Sequence, residues 1–215
     1  MTPSFDIVTL GSATIDAFLE TEKQDTVIKA VEGKDASFIT FRSGEKVIVK
    51  QLHFDVGGGG SYTASCFAKL GLVTGYCGAV GVDTNGENVL RRFLADGVAF
   101  LGTRVDAQTN YSVVLESALL KDRTILVYKG ASEELDAGAV QPFRARWLYT
   151  SSLGGASFAA SIALIENHRK AGGLVAANPS NYQIERDPLA VKRLLALTDV
   201  VIMNRDEANA LVGAG

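Results

Sequence analysis

The sequence predicts an α/β fold: an open, mostly parallel sheet flanked by helices, with a small antiparallel β lid. Three observations carry this reading. Short apolar runs rich in β-branched residues, at 5–10, 74–80, 146–150, 174–177 and 199–203, have the character of strands buried on both faces. Between them, residues 61–70, 86–95, 157–171, 188–197 and 205–212 repeat apolar positions at spacings of three and four, the period of an amphipathic helix. Such alternation implies βαβ units and a parallel sheet covered on both sides. Two stretches, 26–54 and 110–128, instead follow a period nearer two.

Taken in order, the first strand ends in the small residues of Leu10-Gly11-Ser12-Ala13-Thr14-Ile15, and Asp16 follows where the chain turns toward the lid. Residues 38–41 and 46–53 flank the turn-like group Arg42-Ser43-Gly44-Glu45, which predicts a β-hairpin; residues 111–116 and 123–128 predict a second one around Leu120-Lys121-Asp122. The expected organisation is a single domain over 1–215, with a lid formed by roughly 17–56 and 107–130. Phe38, Phe41, Val47 and Val49 supply apolar surface through which the lid could pair with a second copy, so a homodimer is expected there.

With 47% hydrophobic and 21% charged residues, the chain has the composition of one globular domain. A net charge of -3 argues against nucleic-acid or anionic-membrane binding, and leaves a small molecule as the expected partner. No apolar run approaches ~18 residues, and no basic segment precedes an apolar one at the start, so neither a membrane span nor a signal peptide is read and a cytoplasmic location is expected. Cys66 and Cys77 lack metal-ligand spacing and are read as reduced, buried thiols; His53 and His168 receive no catalytic role.

The most informative segment is Asp55-Val56-Gly57-Gly58-Gly59-Gly60-Ser61, entering a helix that closes at Lys69-Leu70-Gly71. Four glycines are read as having no packing value. They instead let a ligand approach the main chain, with the free NH groups of the helix start aimed at a hydroxyl-rich or anionic molecule. The plainer reading is a strand-to-helix turn that needs only flexibility. Two alternatives fail on spacing: Tyr62 and Thr63 stand where a dinucleotide fingerprint needs its third glycine, and Gly33-Lys34 is followed by Asp35 rather than the Ser or Thr of a Walker A loop. Asp16, at a strand end, could accept hydrogen bonds from two neighbouring sugar hydroxyls, or be a solvated turn residue.

In order along the chain, Gly57-Gly58, Ala64, Gly71 and Gly81 within Gly78-Ala79-Val80-Gly81-Val82-Asp83-Thr84-Asn85-Gly86, then Asn178-Pro179-Ser180, then Asn204-Arg205-Asp206-Glu207, resemble the ribokinase-like, or PfkB, carbohydrate kinase family over essentially the whole length. The resemblance implies an ATP- and Mg²⁺-dependent kinase acting on a hydroxyl of a sugar, sugar derivative or nucleoside. It implies that Asp16 and the backbone at Gly57 and Gly58 hold the acceptor, that Asn178 lies toward the nucleotide, and that Asn204 with Glu207 organises Mg²⁺ and the phosphates. Glu207 could alternatively serve only the dipole of its helix. A catalytically inactive sugar- or nucleotide-binding protein of the same fold is the alternative function.

Two departures from the family pattern stand out. Tyr62 replaces the usual Asn; its ring favours a flatter or less polar acceptor, unless it points elsewhere. The family's later DTxGAGD signature, which carries the general-base aspartate, does not occur in the 215 residues. The sequence therefore reads as the N-terminal part of a longer kinase, lacking the base, with little activity expected of the chain alone.

Overall fold

The computed structural model describes residues 2–21, 27–28, 39–117 and 122–213. In chain order the elements are β1 (Ser4–Leu10), β2 (Thr14–Thr21), β3 (Val27–Ile28), β4 (Ile39–Thr40), β5 (Val49–Gly57), α1 (Gly59–Lys69), β6 (Thr74–Cys77), β7 (Ala79–Gly81), α2 (Thr84–Asp96), β8 (Ala99–Phe100), β9 (Thr103–Val105), β10 (Asn110–Ser117) and β11 (Asp122–Tyr128). They continue with β12 (Arg144–Thr150), α3 (Gly155–Lys170), β13 (Leu174–Ala177), α4 (Asn181–Arg186), α5 (Pro188–Ala196), β14 (Val200–Val201) and α6 (Arg205–Val212). The chain divides into a large unit, Met1–Thr14 with Val56–Asn110 and Lys129–Gly215, and a small unit, Ile15–Asp55 with Tyr111–Tyr128.

The large unit is built on a parallel sheet in the order β14-β13-β12-β1-β6-β8. Its central strands are buried on both faces, which is why they read as continuous apolar runs: Val8, Leu10, Leu148 and Val175 are all fully covered. Helix α3 lays Phe158, Ile162 and Ile165 on this sheet, and α5 adds Val191 and Leu194 to the same core. The expected strand over 74–80 divides at Gly78 into β6 and β7, and β7 pairs instead with β9. A Cβ at Gly78 would lie 2.2 Å from the Tyr76 hydroxyl and 2.5 Å from the Gly11 carbonyl, so the break is a point of close backbone approach.

Helix α2 starts on Asp83, whose carboxylate accepts from the Gly86 NH at 2.7 Å, and stops at Gly97 in the left-handed conformation with φ of 75°. Inward-facing Val89 and Phe93 are buried, and the Phe93 ring meets that of Tyr76 at 4.6 Å. Cys77 is buried, and desolvation pushes its thiol up to about 12. Cys66 is exposed, contrary to expectation, because α1 turns its small residues Gly60, Ser61, Ala64 and Ser65 inward and leaves position 66 outside.

The small unit carries a four-stranded sheet in the order β11-β10-β2-β5. Strands β10 and β11 form the expected antiparallel pair, with Ser112 opposite Val127 and Val114 opposite Ile125; the connection expected at 120–122 lies largely outside the described residues. The other expected hairpin is corrected. Strand β5 pairs with β2, whereas β4 pairs with β3, so the turn at Ser43 and Gly44 joins strands of different sheets. Phe38 lies outside the described residues.

Side chains alternate across a strand, which gives this sheet two faces of different composition. One carries Asp16, Phe18, Glu20, Gln51, His53, Asp55, Ser112, Val114, Glu116, Arg123, Ile125 and Val127, polar over β2 and β5 and partly apolar over β10 and β11. The other carries Ile15, Ala17, Leu19, Leu52, Phe54, Tyr111, Val113, Leu115, Leu126 and Tyr128. On this apolar face Ile15 and Ala17 are buried, whereas Leu52 and Phe54 are more than half exposed.

Candidate functional site

The glycine run sits at the end of β5 and the start of α1, and each glycine has its own reason. Gly58 holds φ of 95° and precedes the helix as a cap without a side chain. A Cβ on it would stand 2.5 Å from the Ser12 carbonyl oxygen. Gly60 packs on Gly11 so closely that a Cβ would lie 2.7 Å from the Gly11 Cα, and one on Gly59 would lie 2.8 Å from the Ser151 side chain. The run thus has a packing function that the sequence reading denied it: it lets the N-terminus of α1 touch the end of β1.

The helix start is also less open than expected. The Gly60 and Ser61 NH groups both donate to the Ser12 carbonyl, at 3.1 and 3.2 Å. Thr9 Oγ1 donates to the Gly60 carbonyl at 3.0 Å, and Ser61 Oγ donates to those of Gly57 and Gly58. A main-chain carbonyl thereby occupies the place at which an anion would sit, so this end of α1 is no ready-made phosphate cradle. Next to it, the Ser151 hydroxyl is buried with no hydrogen-bond partner among the described residues. Tyr62 stands on the first turn of α1 with its side chain 46% exposed, its NH donating to the Gly58 carbonyl.

Asn178 follows β13, and its side-chain NH₂ donates to the Ile202 carbonyl at 2.7 Å while its backbone NH donates to Thr150. It stitches together the ends of β12, β13 and β14. Asn204 and Glu207 form a capping box on α6: Asn204 Oδ1 accepts from the Glu207 NH at 2.8 Å, and Glu207 Oε2 accepts from the Asn204 NH at 2.9 Å. Among the described residues no group of three or more His, Cys, Asp and Glu is gathered in a form that could hold a metal ion.

In the small unit, Asp16 lies within β2 rather than in a turn, because the strand resumes at Thr14 only three residues after Gly11. Burial raises its carboxyl above the ordinary aspartate value; the hydrogen bond from Ser112 offsets part of this, and repulsion from Asp55 adds to it. Beyond it on the same face, Phe18, Glu20, Gln51, His53, Asp55 and Glu116 line a cleft of about 340 Å³. Period-two alternation from Asp16 would have pointed to Phe18 and Glu20; the pairing of β2 with β5, which brings His53 opposite, has no such signature.

A second cluster escaped the sequence reading. Lys129 Nζ lies 3.0 Å above the Tyr182 ring, and Arg186 donates to the Tyr182 hydroxyl at 2.6 Å, beside Glu133 and Gly154. Residues 129 and 182 are too far apart in sequence for any local pattern to join them. No helix among the described residues is long and apolar enough to cross a membrane.

The model of the pfkB family of carbohydrate kinases matches residues 5–215. The aminoimidazole riboside kinase of Salmonella typhimurium is 28% identical over 170 residues, which cover 74% of this chain and 53% of the relative; the chain thus spans about half the length of that curated protein. Among solved structures, adenosine kinase from Schistosoma mansoni in complex with 2-fluoroadenosine aligns with a TM-score of 0.77 at 16% identity, over 98% of this chain and 67% of that one. Adenosine kinase from Sinorhizobium meliloti gives 0.74 at 20% identity, over 97% and 68%. Ribokinase from Giardia lamblia gives 0.74 at 19% identity, over 97% and 60%. At these identities the structural likeness is one of fold.

Proposed function

Because this chain belongs to the pfkB family of carbohydrate kinases, we propose that its protein transfers the terminal phosphoryl group of ATP to a hydroxyl of a sugar, sugar derivative or nucleoside. The observation that carries the proposal is the family match, which runs from the first strand to the last helix. In the step itself the acceptor oxygen bonds to the γ-phosphorus, the bond from that phosphorus to the β-bridging oxygen breaks, ADP leaves and the hydroxyl proton passes to a base. The family pattern assigns that base to an aspartate in a DTxGAGD segment, absent from these 215 residues, so the proposed activity is that of the complete protein.

Within this reading Asp16 accepts from acceptor hydroxyls, Gly57 and Gly58 present main chain to the acceptor, and Asn178 and Asn204 face the nucleotide. Mg²⁺ neutralises phosphate charge when bound. It habitually keeps several waters and takes most of its ligands from phosphates, which fits Glu207 acting through water, with no cage of His, Cys, Asp and Glu among the described residues. The raised pKa of Asp16 gives a pH direction: acceptor binding weakens as the pH falls through it, since only the carboxylate accepts two hydroxyls. A cytoplasmic location and a homodimer through the lid, where Phe41 and Val49 are exposed, complete the proposal.

The test is ADP release by the complete gene product with Mg²⁺·ATP and a panel of sugars and nucleosides. Acceptor-dependent release is the expected result. Acceptor binding by calorimetry with no release for any compound would overturn the kinase reading in favour of an inactive binding protein. A monomeric mass by light scattering would remove the dimer.

A further inference from the structure

We propose that a cleft at the end of the parallel sheet opposite to Asn178 and Asn204 is a binding site for a small carboxylate with an apolar, ring-bearing body. The proposal is independent of the kinase reading and uses no residue assigned above to acceptor or nucleotide.

The cleft, of about 610 Å³, lies beside the first residues of β12 and the last two turns of α3, with the segment 137–143 as its third wall. That volume falls within the roughly 300–1,000 Å³ of small-molecule sites. Strand β12 runs parallel to β13 and its seven residues span about 20 Å, so Arg144 at its start stands about that far from the strand ends that Asn178 follows.

The walls are in place before any ligand arrives. The Gln141 NH donates to the Leu101 carbonyl at 3.0 Å and the Arg144 NH to the Pro3 carbonyl at 2.9 Å, which pins this stretch of main chain. Val140, Phe143 and Leu164 are partly buried against the core and also line the cleft. Phe143 gives this apolar wall a ring, against which a second ring packs by offset or edge contact.

The polar part of the lining has one sign. No lining residue is acidic, and Arg144 is the sole arginine or lysine among them. Its guanidinium has no ion pair or side-chain hydrogen bond among the described residues, whereas Arg169 and Arg193 are paired with Asp199 and Glu166. His168 adds no charge. Its Nε2 donates to the Leu174 carbonyl at 3.1 Å, and burial holds its pKa below the ordinary 6.5, so the ring is neutral at neutral pH. A guanidinium fork pairs with a carboxylate through two parallel N–H···O bonds, and the Asn167 amide offers a further donor. A simple inorganic anion would leave the apolar wall uncovered, and a neutral apolar molecule would leave the arginine unmatched; a carboxylate on a ring-bearing body answers both.

The test uses 4-phenylbutyrate, its neutral counterpart 4-phenylbutanol, and acetate, titrated into the complete protein by calorimetry and followed by amide shifts in NMR spectra. Phenylbutyrate is expected to bind at least tenfold more tightly than either of the others, with shifts concentrated at 140–145 and 164–173. Arg144→Gln is expected to weaken phenylbutyrate at least tenfold and to leave phenylbutanol within twofold; Arg144→Lys, which keeps the charge without the fork, is expected to fall between. Ala171→Trp, at an exposed residue of the rim, fills the cleft and is expected to weaken both phenyl compounds at least fivefold. Equal affinity for phenylbutyrate and phenylbutanol, an affinity unchanged by Arg144→Gln, shifts centred on Asn178 and Asn204, or no binding of phenylbutyrate at millimolar concentration would overturn the proposal. Binding is read without ATP, so its failure leaves the kinase reading standing, and an absence of ADP release leaves this site standing.

Discussion

Helices α1 and α6 both begin at positions that the sequence nominates for ligand contact, and they satisfy their first NH groups in opposite ways. At α6 two side chains do the work: Asn204 and Glu207 each accept from the other's backbone. At α1 no side chain does. The Ser12 carbonyl accepts from Gly60 and Ser61, and it can come that near only because Gly58 and Gly60 carry nothing on Cα. One start depends on particular atoms being present, the other on their being absent. Substitutions at α1 therefore act through backbone collision, and those at α6 through the loss of one or two hydrogen bonds.

The contrast breaks first at Gly60. Gly60→Ala places a Cβ 2.7 Å from the Cα and carbonyl carbon of Gly11, where neither backbone can yield, so a loss of about 3 kcal/mol or more is expected in urea unfolding. A change below about 1 kcal/mol would show that the two segments can separate freely. The third helix start, on Asp83, comes next. Its carboxylate accepts from Gly86 NH at 2.7 Å, Thr109 NH at 2.9 Å and Thr109 Oγ1 at 2.6 Å. Asp83→Asn is expected to lose about 1–2 kcal/mol at neutral pH, because one charged acceptor is replaced by a neutral amide.

The same residue gives a pH test. Partial burial opposes its ionisation, but the bonds from Thr109 and Gly86 outweigh this and hold the folded pKa below 3.8. Its contribution is therefore complete above the unfolded value and is lost as the pH falls through the folded one. Acid unfolding curves of wild type and Asp83→Asn should converge in that window; a gap that persists to the lowest pH would assign the stabilisation to another group.

Smaller effects belong to α6. Asn204→Ala removes the cap and is expected to lose about 1 kcal/mol. Glu207→Gln keeps an acceptor in the box, so a change within about 0.5 kcal/mol is expected. That last variant sharpens the comparison most: a stable Glu207→Gln protein with weakened Mg²⁺·ATP binding gives the carboxylate a charge role beyond capping, and unchanged nucleotide binding leaves it a cap alone.

Much of the large unit was legible because its strands are buried on both faces and its helices on one. Residues 174–177 and 205–212 coincide with β13 and α6. Local pattern failed where a long-range approach decides the structure. Gly78 looks like an ordinary residue of an apolar run, yet a Cβ there would run into Gly11, 67 positions earlier. Helix α4 is six residues long and mostly polar, too short to show a period, although Ser180 and Gln183 form its capping box. The arrangement of β3, β4 and β5 was misread because a turn motif reports that the chain reverses and says nothing of which strand each arm joins.

At the site, the contacts that the nominated residues make within the protein were not readable from the sequence. Asn178, nominated to lie toward the nucleotide, also ties β13 to the end of β14 through its side chain. The glycine run looked like empty space and is a contact. Phe18 and His53 looked like nothing in particular, since their meaning comes from β2 and β5 lying side by side.

The strict alternation of the small sheet sets a rule for how this unit can change in length. One residue inserted or deleted early in β2 would send Phe18 and Glu20 through to the side of Leu52 and Phe54, and bring Leu19 to the polar side. A change of two residues would shift the strand without exchanging its sides. Length variants of this strand that still bind an acceptor should accordingly differ by even numbers, and loops should absorb the odd ones.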